Sequence, residues 1–322
     1  MKIGIIGTGY IAGRMADTIR SVRNAELYAV ASRTEDKAKR FAERYGCKMF
    51  YGTYEELVKD SSIEMVYIAT PHSCHFNNAK LCLENYKPVL VEKPFTVNLE
   101  QAQQLITLSQ ERNVFITEAM WTRYMPSRQI IETIISKKEI GELTGITASV
   151  GYPMMNVERL LNPDLAGGAL LDVGVYAINF ALMFSNSDVK HLSSSAVLSP
   201  QKIDYKNIVS IEFHNGVLAS LYSTMTSATD MRGVIYGTKG YVVVDNIINP
   251  EEINVYDNSQ TLQTIYEIPK QITGYEYEII SSMQAIRKNK IETQEVPHLD
   301  ILKRMKIVDS IVDNCGICYT CI

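Results

Sequence analysis

The sequence predicts an α/β protein in two parts. A doubly wound parallel sheet occupies residues 1–118, and an α+β domain with a large, mostly antiparallel sheet occupies residues 119–322. Three observations predict this. The chain has 322 residues, and ~150 residues per domain gives two domains. Through residue 118, continuous Val/Ile-rich runs alternate with amphipathic charged segments, as in a parallel sheet covered on both faces. After Glu118, short strands joined by glycine-bearing turns take over.

The elements follow in order. Lys2–Ile6 reads as a strand, followed by a glycine turn and a helix to about Val22. Leu27–Ala31 is a strand. Glu35–Tyr45 is a helix with Ala38, Phe41, Ala42 and Tyr45 on one face. A strand near Met49–Tyr51 precedes a short helix from Tyr54. Met65–Thr70 is a strand, Asn77–Glu84 a helix, Val89–Glu92 a strand, Leu99–Arg112 a helix and Val114–Thr117 a strand. Ser127–Lys138 is still helical. From Leu143 onward strands dominate: Val209–Phe213 and Val217–Tyr222 flank His-Asn-Gly, a strong hairpin signal. Gly233–Gly237 and Tyr241–Asp245 flank a second such turn, and Ile253–Tyr256 and Thr264–Ile268 extend the pattern. Tyr275–Lys288 and His298–Asp313 close the chain as helices.

Composition narrows the function. Apolar residues make up 46% and charged residues 21%, the balance of a globular chain. The net charge is −4, and no basic block suggests a phosphate-tracking surface, so no nucleic-acid partner is expected. The longest apolar run, Ala169–Phe184, is interrupted by Asp172 and Asn179, so no membrane span and no membrane partner is expected. The N-terminus enters a strand-like run at once, without the pattern of a secretory leader. The six cysteines are too few and too irregular for a disulfide scaffold, and a reduced, cytoplasmic protein is the expectation. Cys315-x-x-Cys318-x-x-Cys321 lacks the fourth ligand of a structural zinc site, so no metal is assigned.

The first strand runs into Gly7-Thr8-Gly9-Tyr10-Ile11-Ala12-Gly13, a match to G-x-G-x-x-G/A between a strand and a helix. In that context the motif is the fingerprint of a dinucleotide-binding Rossmann fold. Gly7 permits the tight turn, Gly9 lets a pyrophosphate approach the backbone, and the helix N-terminus faces the phosphates. At the end of the second strand stands Ser32-Arg33-Thr34, where an NAD enzyme usually carries an acid for the ribose hydroxyls. Arg33, with Ser32, Thr34 and Lys37 as further donors, suits a 2′-phosphate. NADP is favoured, and NAD remains open if Arg33 only stacks on adenine or is solvated.

Three further segments stand out. Lys93 follows the strand Val89–Glu92 in Glu92-Lys93-Pro94, at the strand end where ligands of open α/β sheets bind. Glu118-Ala119-Met120-Trp121-Thr122-Arg123 lies at the domain junction. In Gly167-Gly168-Ala169-Leu170-Leu171-Asp172-Val173-Gly174-Val175-Tyr176, Asp172 and Tyr176 share one helical face.

On these motifs the chain resembles the glucose–fructose oxidoreductase/inositol dehydrogenase (Gfo/Idh/MocA) family, in the branch of dimeric dihydrodiol dehydrogenases and NADP-dependent xylose dehydrogenases. GTGYIA, TPHSCH, EKP, EAMWTR and GGALLDVGVY stand in the family's order along nearly the whole chain. The resemblance implies an NADP-dependent oxidoreductase that transfers a hydride to or from a sugar, polyol or cyclic diol. Lys93 would touch substrate and nicotinamide, and Asp172 and Tyr176 would be the family's D-x-x-x-H/Y pair. Thr70, Pro71 and His75 would line the cofactor, while Glu92, Trp121 and Arg123 would lie near its nicotinamide half. The resemblance also implies a cis Lys93–Pro94 bond. It implies a homodimer or homotetramer built on the exposed face of the antiparallel sheet. Two alternatives within the fold are a non-enzymatic NAD(P)-binding regulator and a redox-neutral NAD-dependent glycosidase.

The residue types suit alcohol oxidation. A tyrosine of pKa ~10 is a poor base at neutral pH, and a nearby ammonium favours its phenolate. Tyr176 is therefore the expected acid/base, Lys93 its electrostatic partner and Asp172 the orienting group. Arg159 and Asn156 stand beside a loop where either a substrate contact or a solvated role fits. Tyr152, Pro153, Met154 and Met155 fit a pocket wall and core packing equally.

Overall fold

The computed structural model describes residues 1–320; Cys321, the last thiol of the C-terminal cysteine run, lies outside them. The described chain divides into two compact units. One comprises Met1–Tyr124 with Gln271–Met305, the other Met125–Lys270 with the residues after Met305. The single cut expected after residue 118 is thus replaced by a division in which a C-terminal stretch returns to the first unit.

The first unit alternates β1 (Lys2–Ile6), α1 (Tyr10–Ser21), β2 (Glu26–Ala31), α2 (Glu35–Tyr45), β3 (Met49–Tyr51), α3 (Tyr54–Lys59) and β4 (Met65–Ile68). It continues with α4 (His75–Glu84), β5 (Val89–Glu92), α5 (Leu99–Arg112) and β6 (Ile116–Ala119). The six strands are parallel in the order β3-β2-β1-β4-β5-β6, with the chain reversing direction across the sheet at β1/β4. Strands β4, β5 and β6 are buried at every position, the reason their sequences run apolar rather than alternate.

Local chemistry fixes the helices. Glu35 and Asp36 open α2 and Arg44 closes it, matching the helix dipole, and Gly46 ends it with φ +78°. Asn98 caps α5 by accepting from the Gln101 N–H at 2.9 Å, and Asn113 ends it in the left-handed region.

The returning stretch explains the discontinuous unit. Its helix α8 (Glu276–Arg287) contributes Ile279 and Met283 to a buried cluster with Ile3, Ile5, Met15, Ile19 and Leu90. The Ile116 N–H donates to the Ile291 carbonyl at 3.0 Å, beside β6. These contacts link residues too far apart in sequence for any periodicity to announce them.

The second unit carries α6 (Pro126–Ser136), β7 (Leu143–Gly151), a π-helical turn over Leu170–Gly174 and α7 (Val175–Phe184). There follow β8 (Val189–Leu198), β9 (Asp204–Phe213), β10 (Leu218–Thr224), β11 (Gly233–Gly237), β12 (Gly240–Val244), β13 (Glu252–Asp257) and β14 (Leu262–Glu267). They form an eight-stranded sheet, β14-β13-β12-β11-β7-β10-β9-β8, antiparallel except for the parallel pair β7/β10. Both glycine-turn hairpins form, β9/β10 and β11/β12. The last helix, α9 (His298–Cys315), begins in the first unit and ends in the second.

The segment Pro163–Phe184 is long and apolar enough to cross a membrane by length and composition, more so than the sequence reading allowed. In the fold 89% of its most apolar window is buried.

Candidate functional site

The glycine turn has the geometry its sequence requires. Gly7 adopts φ +112°, and a Cβ there would lie 2.6 Å from the Ala69 carbonyl oxygen. Gly9 caps α1 with ordinary extended dihedrals and no side-chain hydrogen bond. A Cβ on Gly9 would meet nothing within 4 Å. The first N–H groups of α1 thus have no side-chain cap from Gly9, and the space beside Gly9 is open, as an anion site requires.

That space continues into a groove of about 710 Å³ lined by Thr8, Gly9, Tyr10, Arg14, Lys37, Arg40 and Arg44, with Asp17 as its acid. Tyr45 lies across Gly13, whose hydrogen leaves room for the phenol oxygen. Ile11 follows Tyr10 in the first turn of α1. Ser32 is buried, and its N–H donates to the Tyr51 carbonyl at 3.2 Å. Arg33 is exposed on the same corner; burial pushes the nearby Tyr54 phenol up, and the Arg33 cation opposes it. Lys37, expected from the sequence as a phosphate donor, lines the groove; Arg14 on α1, and Arg40 and Arg44, which follow Lys37 at helical spacing on α2, were not singled out.

At the end of β4, Thr70 and Pro71 lead into the turn before α4. The Asn78 amide donates to the Thr70 hydroxyl at 3.0 Å. His75 is fully buried between two main-chain carbonyls, of Thr70 and Pro94.

The Lys93–Pro94 peptide bond is cis. The loop around it is held by buried acids. Glu92 accepts from the Tyr67 hydroxyl and, at 3.1 Å, from the Lys93 N–H. Glu118 accepts from the Phe95 N–H at 3.0 Å and pairs with Arg304. Both partners of that pair are buried, and burial pushes the Arg304 guanidinium down to about 9. Behind Glu92 lies Glu278, wholly buried, its carboxyl oxygens without a hydrogen-bond partner among the described residues. Burial first, and the Glu92 charge second, push Glu278 far toward its neutral form. Burial, Glu92 and Glu278 push the Tyr67 phenol up in turn.

Trp121 is buried and stacks on Tyr275, ring centroids 4.4 Å apart. Arg123 is buried and engaged within the fold, donating to Asp300 at 2.5 Å. Sequence reasoning missed Glu118's partner, Arg304, and missed Glu278. The available signal was a charge in the apolar register of an amphipathic helix, since Arg304 lies between Ile301 and Val308 on the buried face of α9.

In the second unit Asp172 sits in the π-helical turn and Tyr176 in the first turn of α7, both buried. A π turn amid α-helix is often found at functional sites. Arg159, left open between substrate contact and solvent, donates to Asp172 at 3.0 Å. Burial raises Tyr152, and the Asp172 charge adds to it. The turn itself is anchored from below. Asp204 accepts from the Leu170 N–H at 2.9 Å and from Asn207 at 2.7 Å, and Ser223 donates to Asn207 at 2.9 Å. Among the described residues no group of three or more His, Cys, Asp and Glu is arranged to hold a metal.

Comparison with known proteins places both units. Residues 1–120 match the model of an oxidoreductase family with an NAD-binding Rossmann fold, and residues 129–243 match the GFO/IDH/MocA C-terminal domain. The chain is 31% identical to trans-1,2-dihydrobenzene-1,2-diol dehydrogenase of Xenopus laevis over 330 residues, covering 99% of each chain. To the Homo sapiens protein of that name it is 29% identical, over 92% of this chain and 91% of that one. Among solved structures it is similar to a 3-ketoreductase from Actinomadura kijaniata in complex with NADP and TDP-benzene. The TM-score is 0.90 at 24% identity, covering 99% of each chain. It is similar also to an aldose-aldose oxidoreductase from Caulobacter crescentus, with a TM-score of 0.89 at 19% identity over 98% and 97% of the two chains.

Proposed function

The chain belongs to the GFO/IDH/MocA oxidoreductase family, and on that premise we propose that it is an NADP-dependent dehydrogenase of a sugar, polyol or cyclic diol. The observation that carries this reading is the end-to-end match to diol dehydrogenases, together with the family motifs in both units. A nicotinamide dinucleotide fits the residues present. The uncapped start of α1 at Gly9 suits its pyrophosphate. The cations Arg14, Lys37, Arg40 and Arg44, with Arg33 on the adjacent corner, favour the extra phosphate of NADP. Thr70, Pro71, His75, Glu92, Trp121 and Arg123 belong to the same unit; in this reading the segment 70–75 lines the cofactor, and Glu92, Trp121 and Arg123 lie near its nicotinamide half.

The bound nicotinamide supplies the hydride acceptor. The protein's own task is to remove the hydroxyl proton as the hydride leaves carbon. Tyr176 is assigned as acid/base, Lys93 as the cation that favours its phenolate and donates to the reacting oxygen, and Asp172 as the orienting carboxylate. Arg159, paired with Asp172, then tunes the charge of that carboxylate.

Assembly as a homodimer, or a dimer of such dimers, belongs to this reading. It is supported by the exposed apolar residues on one face of the eight-stranded sheet, Val197, Ile208, Leu218 and Tyr236. Cytoplasmic residence is the matching proposal, on the irregular cysteine spacing.

The test is absorbance of reduced nicotinamide, with purified protein, NADP+ or NAD+, and a panel of aldoses, inositols and cyclic diols. A rise with NADP+ and one substrate class is expected. Tyr176→Phe is expected to lower kcat roughly 10²- to 10⁴-fold. A rise with NAD+ alone overturns the NADP assignment. No rise with either cofactor, despite binding, overturns the dehydrogenase in favour of a regulator or a redox-neutral enzyme.

A further inference from the structure

His75 opens α4 with its side chain fully buried. Its Nδ1 lies 2.7 Å from the Pro94 carbonyl oxygen, and its Nε2 lies 2.9 Å from the Thr70 carbonyl oxygen. A neutral imidazole has one N–H and one lone pair, whereas a carbonyl oxygen only accepts. In either neutral tautomer a nitrogen lone pair would therefore face an oxygen lone pair at under 3 Å. Only a ring protonated on both nitrogens satisfies both contacts.

The geometry points to His75 as a buried imidazolium that ties the loop carrying Lys93 to the loop carrying Thr70, and so acts as a positioning residue for Lys93. Three successive main-chain groups of the Lys93 loop are held by side chains. The Lys93 N–H is taken by Glu92, the Pro94 carbonyl by His75 and the Phe95 N–H by Glu118. Among these three contacts, that of His75 also reaches the Thr70 loop, where Asn78 fixes the Thr70 hydroxyl. The titratable groups around it are His72 on the preceding turn, its ring edge-on at 5.9 Å, Glu92 and Lys93 at the end of β5, and the Glu118–Arg304 pair beside Phe95.

The importance of Lys93 rests on the dehydrogenase reading; the charge state of His75 rests on the two carbonyl contacts alone. The experiment separates them. In nuclear magnetic resonance of the full-length protein with ¹⁵N-labelled histidine at pH 8, both ring nitrogens of His75 are expected to remain N–H donors. A free imidazole, with pKa ~6.5, is almost wholly neutral there. The signals are assigned by their loss in His75→Gln. Should that variant not fold, substitution of the other four histidines, among five in the chain, assigns His75 by elimination. A neutral tautomer at pH 8 overturns the clamp.

The kinetic arm uses His75→Gln, whose single amide cannot span two opposed carbonyls. Its kcat is expected to fall roughly ten- to hundredfold, the cost of a displaced catalytic group. Its KM for NADP+ should change no more than about threefold, since uniform binding is largely retained. An unchanged kcat overturns the positioning role. If the wild-type protein oxidises nothing on the panel, the dehydrogenase reading falls, and the resonance arm still decides the charge state.

Discussion

Gly7 and Gly9 stand two residues apart in one motif and are glycines for different reasons. At Gly7 the backbone itself demands it, through φ +112° and the 2.6 Å approach to Ala69. Gly9 has ordinary dihedrals and open space, so only a ligand gives its missing side chain a purpose. Gly9→Ala should therefore leave stability within about 0.5 kcal/mol in urea unfolding while weakening dinucleotide binding by calorimetry. Gly7→Ala should lose about 1–3 kcal/mol of stability. Equal effects on both quantities in the two variants would remove the distinction. Asp204 supplies a second residue-scale test. Burial raises its carboxyl from 3.8 to about 6, against the hydrogen bonds from Asn207 and Leu170. The folded chain thus holds a proton that the unfolded chain has released between about pH 4 and pH 6. Its contribution is fully present below the unfolded value and lost as pH rises through the folded one, a total of about 3 kcal/mol for two pKa units. Asp204→Asn cannot titrate, so its stability should lack this fall when urea unfolding is compared at pH 4 and pH 7. A fall as large as in wild type would place the proton elsewhere.

At the scale of elements, the sequence signals worked where the physics is local. The parallel strands were legible from their unbroken Val/Ile runs, and the hairpins from glycine turns such as Gly216, which adopts φ +84°. Strand β8 was not legible: its Ser193-Ser194-Ser195 core carries little apolar alternation, and it is held by pairing to β9. The parallel partnership of β7 with β10 is set by tertiary contact and leaves no trace in either strand's pattern. The π turn at Leu170–Gly174 was read as ordinary helix, because the Asp204 carboxylate that receives the Leu170 N–H lies 34 residues downstream. Caps, by contrast, are local and testable. Asn98 opens α5 directly after the loop that bears Lys93, accepting from the Gln101 N–H. Asn98→Ala should cost about 1 kcal/mol, the usual worth of such a cap, read as a lower midpoint in urea at unchanged slope. A shift of the slope instead would mean that the unfolded ensemble, not the cap, had changed.

For the whole molecule, the two-unit plan was legible from the change of pattern after Glu118, but the return of residues 271–305 to the first unit was not. Ile279 and Met283 read as the apolar face of any helix, and only packing reveals that they complete the core beneath β1 and β4. The same limit applies to assembly, since a sheet face shows its polarity in sequence but not its partner. On β10, Leu218 is 59% exposed, and its neighbour across to β9 is Glu212. Ser220 faces Ser210, and Tyr222 faces Ile208, itself 50% exposed. A face of small hydroxyl and apolar side chains, with Glu212 among them, suits a two-fold pairing of sheets, in which every residue is presented twice. Leu218→Glu would then bury two unpaired carboxylates per dimer. At a few kcal/mol for each buried polar group, and tenfold in dissociation constant per 1.4 kcal/mol, the dimer should weaken by roughly 100-fold or more. Light scattering should therefore give wild type twice the chain mass, or four times, and the variant the mass of a single chain, with matching circular dichroism. A wild-type protein that scatters as a single chain at micromolar concentration would sink the dimer, and a variant that stays paired would move the interface off this face.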